Sequence, residues 1–78
     1  MSEDAEARCE IIRRLFYLIT IAVEDAAALA VEGQSRRLLP DCARESAANL
    51  LELGIRIEIL SSAVTALLEG AEKGVETA

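Results

Sequence analysis

Apolar residues recur along this chain at helical spacing, in two long blocks separated by a short polar stretch. In the first block, Ala5, Cys9, Ile12, Phe16, Ile19, Val23, Ala26 and Ala30 follow one another by alternating steps of four and three. At about 100° per residue, those steps place them on one side of a helix. A second line, Ile11, Leu15, Leu18, Ala22 and Leu29, runs beside it. Together the lines cover about half the circumference, with Arg8 as the one charge inside the arc. Glu10, Arg13, Arg14, Tyr17, Thr20, Glu24 and Asp25 fall on the other side. The pattern predicts a first helix over about residues 3–32, ended by Gly33 in the left-handed conformation.

The second block repeats the pattern. Leu50, Leu53, Ile57, Leu60, Val64, Leu67 and Ala71 step by three and four, with Ala43 and Leu68 alongside. Pro40 suits a first helical turn, because its missing N–H would be unpaired there anyway. Asp41 then complements the positive end of the helix dipole. The second helix is expected over about residues 40–72, with 73–78 as a flexible tail. Gly54 lies inside it, and the apolar phase passes through undisturbed, which argues for one continuous helix. Glu52 and Arg56 stand four apart in the order that favours a surface ion pair. Residues 33–39 form the turn, with room for one short helical turn at 35–39. No stretch alternates with period two, so no strand is predicted.

Two long helices and a short link make an antiparallel hairpin. The fold class is therefore all-α, with residues 1–78 as a single helical domain. A hairpin offers each helix one neighbour, and that leaves apolar surface over. On the first helix the surplus comprises Ile11, Leu15 and Leu18; on the second it comprises Leu51, Ile55 and Ile59, with Ala66 in line. Contiguous exposed apolar surface marks an interface. The expectation is a homodimer in which two hairpins form a four-helix bundle, with these residues at the dimer or partner interface. Docking with the hairpins parallel or antiparallel buries the same seams.

Length strengthens that expectation. A chain of 78 residues has a small core for its surface, yet 53% of its residues are hydrophobic. Aromatic residues are few, and the apolar content is Leu, Ile, Val and Ala, all at home in a helical bundle. In outline the chain is similar to helical-hairpin dimers such as the plasmid Rop regulators. That likeness is one of architecture alone, since the basic, aromatic-bearing RNA face of those proteins has no counterpart here.

Charge narrows the partners. A formal net charge of −6 argues against direct nucleic-acid binding, which needs a basic stripe to displace counterions. Glu24 and Asp25 interrupt the apolar run "LFYLITIAVEDAAALAV", so it is not read as a membrane span. The N-terminus is acidic and lacks a basic region before the apolar run, so the expected location is cytoplasmic. Arg36 and Arg37, with Arg44 further on, make a small positive tip at the turn, either opposing the first helix's dipole or meeting an acidic or phosphorylated partner.

Chemistry is sparse. The chain has no histidine, the commonest general base and metal ligand. Cys9 and Cys42 are too far apart in sequence for a metal knuckle or a C-x-x-C pair. The hairpin would also hold them about 30 Å apart, well beyond disulfide reach. No phosphate-binding glycine loop or calcium loop is present. The expectation is no cofactor, no metal and no catalysis. The chain reads as a small interaction or regulatory module, with itself and an unidentified protein as partners. The alternative is an acidic inhibitor or nucleic-acid mimic occupying a basic site on another protein.

Overall fold

The computed structural model describes residues 3–77, with side chains described through residue 70. It consists of α1 (Glu3–Glu32) and α2 (Pro40–Thr77), which pack against each other as a hairpin. At 1.5 Å per residue, helices of 30 and 38 residues are long rods. The radius of gyration is 17.8 Å. A compact domain of this length would have roughly 11–12 Å, so the hairpin is thin and extended.

One stripe of each helix faces the other. In α2 it runs through Ala43, Ser46, Leu50, Leu53, Ile57, Leu60, Val64 and Leu67, all buried or half-buried. This is the seam its periodicity predicts. In α1 the observed stripe differs from the expected one. Ala5, Arg8, Ile12, Leu15, Ile19, Ala22, Ala26 and Leu29 turn inward, while Phe16, Val23 and Ala30 turn out. The arc is too wide for one neighbour, and packing selects half of it. The selected half brings the small Ala22 into the middle of the seam in place of Val23, one turn from Ala26, which belongs to both stripes. There the alanines fit the unbroken Leu and Ile of α2, whereas a phenylalanine and a valine would hold the helices apart. Arg8 is half-buried near the open end.

The link is a turn without a helical segment of its own. α1 closes through Gly33 N–H to Leu29 O at 3.0 Å, Gln34 N–H to Val31 O at 3.0 Å and Ser35 N–H to Glu32 O at 3.1 Å. Gly33 does not adopt positive φ, contrary to expectation. The tightened last turn satisfies the terminal carbonyls by itself, and Gln34 Nε2 donates to Ala30 O at 3.3 Å. Instead of a helical turn at 35–39, Leu38 N–H reaches Ser35 O at 3.3 Å and Arg37 N–H reaches Ser35 Oγ at 3.2 Å. A Ser side chain bonding its own backbone two residues on stabilises a turn in this way. Pro40 then opens α2, and Ala43 N–H donates to Leu39 O at 2.9 Å.

α2 continues through Gly54 without a break, as its phase predicts, and runs on to Thr77. The expected stop near residue 72 is therefore absent. Gly70 and Gly74 lower helix propensity by about 1 kcal/mol each but leave the backbone ladder intact. Ala78, the last residue of the expected tail, lies outside the described residues, as does the side chain of Ala71.

Candidate functional site

The core is slight. Among the described residues the buried apolar side chains are Ala22, Val64 and Leu53, at 1%, 5% and 9% exposure. The large apolar side chains left exposed outnumber them severalfold, Phe16 at 54% and Leu51 at 68% among them. The accessible surface of the chain is 6290 Å². A compact folded monomer of 8.4 kDa exposes about 4,600 Å², so the hairpin carries an excess of about 1,700 Å². That excess surface is the candidate site.

Of the interface residues expected from sequence, Ile11, Leu18, Leu51, Ile55 and Ile59 are exposed. Leu15 is half-buried within the intramolecular seam, where it takes the place expected for Phe16. Phe16 and Val23 thus join the outer surface, as do Tyr17 and Ile21. Periodicity alone could not separate Phe16 from Leu15, because both lie within the same arc.

The hairpin has two edges, and they differ. A shallow groove beside the turn is lined by Leu29 and Ala30 of α1 and by Ser46, Ala47 and Leu50 of α2. This joins Ala30 and Ala47 on one edge, each next to a seam position. Stepping away from the turn by seven residues on each helix keeps to that edge and to matching levels. On this stepping Val23 falls level with Gly54, Phe16 with Ser61, and Cys9 with Leu68. No charge occurs in this set. The opposite edge, stepped in the same way, pairs Ile11 with Ala63, Leu18 with Arg56 and Asp25 with Asn49. It is mixed. Leu51 borders the uncharged edge, while Ile55 and Ile59 lie on the back of α2.

Gly54 is informative. A Cβ placed on it would meet nothing within 4 Å, so the hairpin itself does not require a glycine there. It is exposed in the middle of a helix, where it costs about 1 kcal/mol relative to alanine.

The polar surface is loosely organised. Arg13 pairs with Glu10 at 3.0 Å and Arg44 with Asp41 at 2.9 Å, both pairs largely exposed. Exposed pairs of this kind contribute little to stability. Glu52 and Arg56 do not form the pair that their spacing allows; the ion pairs among the described residues are the two just named. Arg44 is thereby tied to Asp41, while Arg36 and Arg37 extend from the turn. Both thiols are free: Cys9 is half-buried and Cys42 exposed, with no bridge between them. Among the described residues no group of three Cys, Asp or Glu side chains converges to hold a metal ion, and no helix is long and apolar enough to cross a membrane.

No protein-family model matches the chain, and no curated protein or solved structure is significantly similar to it. The functional reading therefore rests on the surface of the hairpin.

Proposed function

We propose that the protein is a homodimeric helical-bundle module that works by binding protein surfaces and has no catalytic chemistry of its own. The observation that carries this reading is the accessible surface of 6290 Å² on an 8.4 kDa chain. Burying one exposed Leu or Ile contributes about 1.5–3 kcal/mol, so a few such residues per copy suffice to drive association against its entropic cost. A compact body of twice the mass would expose about 7,700 Å². Joining two hairpins can therefore remove up to roughly 5,000 Å², within the span of obligate homodimer interfaces. A second copy is thus a sufficient cover for one face of the surplus. The lack of histidine and the shallow surface support a role by contact over one by catalysis. On this reading the dimer would act in the cytoplasm through its remaining outer faces and the Arg36–Arg37 tip.

The test is the molar mass in solution by light scattering across a dilution series. A dimer mass persisting into the low micromolar range is expected. A monomer at tens of micromolar with full helical content by circular dichroism would overturn the proposal.

A further inference from the structure

Resting on the dimer reading above, we infer that the second copy docks on the uncharged edge of the hairpin, with the two turns at the same end of the dimer. Area calls for a cover, and charge distinguishes the edges. One edge presents Asp25 and Arg56, which face-to-face docking would strip of water. The other carries no charge at Ala30, Val23, Phe16 and Cys9 or at Ala47, Gly54, Ser61 and Leu68, and the charges nearest to it, Glu6, Glu10 and Arg13, gather around Cys9 at the open end. A self-association that buries the middle of this edge, from Ala30 and Ala47 to Phe16 and Ser61, desolvates no ion at those positions.

Size distinguishes the orientation. In the middle of the uncharged edge the large side chains belong to α1 and the small ones to α2: Val23 level with Gly54, and Phe16 level with Ser61. At the open end the order reverses, with Leu68 on α2 level with Cys9 on α1. Two symmetric stackings bring this edge against itself. A two-fold axis across the helices lays α1 over α1 of the other copy, large on large, with α2 over α2 and gaps at Gly54 and Ser61. A two-fold axis along the helices lays α1 over α2 of the other copy at the same level. Val23 then enters the space above Gly54, Phe16 that above Ser61, and Leu68 that above Cys9. Close-packed interfaces need such large-to-small matching. This arrangement also accounts for Gly54, which the hairpin alone leaves unexplained. In it every helix is antiparallel to both of its neighbours, and the turns carrying Arg36 and Arg37 meet at one end.

Two experiments test the inference, both on the full chain. In a Cys9→Ala variant, Cys42 remains as a single exposed thiol close to the turn, off the proposed interface. Nitroxide labelling at Cys42 and pulsed dipolar spectroscopy then measure the distance between copies. Turns together predict a separation below about 30 Å, a bundle width. Turns apart predict about 45 Å, the length of α1. The second experiment fills the hole. Gly54→Val should weaken dimerisation at least tenfold by sedimentation without loss of helical signal, since its side chain is unobstructed within the hairpin. Adding Val23→Ala should restore affinity to within about threefold, by exchanging knob and hole.

A dimer with the long separation, or one indifferent to Gly54→Val, overturns this docking and leaves the dimer reading standing. A monomeric parent chain overturns both.

Discussion

Leu53→Ala isolates what holds the hairpin together. Leu53 is 9% exposed, in the stripe of α2 that faces α1, at the level of the small Ala22. Truncation removes three carbons, a transfer loss of about 2.4 kcal/mol at 0.8 kcal/mol per methylene. A cavity contribution normally adds to this. Here it should be small, because the adjoining positions of α2's stripe, Leu50 and Ile57, are only half-buried, so a shifted side chain can fill the gap. The expected loss is about 2.5–3 kcal/mol per chain. For a 78-residue chain this lowers the melting midpoint by about 15–20 °C, using an unfolding entropy near 2 cal/mol/K per residue. Thermal melts followed by circular dichroism at fixed chain concentration measure it, with Ile55→Ala as the control. Ile55 is 50% exposed on the back of α2, outside both the seam and the proposed docking edge. Its truncation should cost no more than about 0.5 kcal/mol. If Ile55→Ala proves the more damaging of the two, the seam has been placed on the wrong face of α2.

Other perturbations probe separate parts of the structure. Ala22→Leu should overpack the seam and cost about 1–3 kcal/mol in urea titrations, although leucine and alanine are both good helix formers. Gly33→Ala should be neutral or slightly stabilising: φ is not positive there, and the nearest atom to an added Cβ is Ala30 O at 3.4 Å. A loss above about 1 kcal/mol would instead indicate a left-handed cap in solution. Arg44→Ala should shift stability by less than about 1 kcal/mol, because the Arg44–Asp41 pair is exposed. Raising salt from 50 to 500 mM should leave self-association unchanged or slightly tighter by sedimentation, since screening relieves repulsion between two acidic chains. Steep weakening with salt would point to charge-driven pairing.

The candidate surface was partly legible before folding was considered. Ile11, Leu18, Leu51, Ile55 and Ile59 read as surplus and are exposed. Phe16 and Val23 were hidden from that reading, because a wide apolar arc does not say which of its lines a single neighbour will cover. The contrast between the two edges was equally invisible. It depends on which α2 residues stand beside which α1 residues, and hence on the register imposed by the turn.

What the sequence determined by itself is the local architecture: two helices, one reaching residue 32 and the other opening at Pro40, with Gly54 inside a continuous second helix. These are properties of short windows, in which side-chain period, proline stereochemistry and helix propensity act within a turn or two of the chain. Tertiary structure decided the rest. It chose the Leu15–Ala22–Leu29 line over Phe16–Val23–Ala30, because the closer approach allowed by Ala22 in place of Val23 makes the better seam with α2. It also gathered Phe16, Val23, Gly54 and Ser61 along one edge. Each of these outcomes depends on the separation and register of two helices distant in sequence, which no local pattern records.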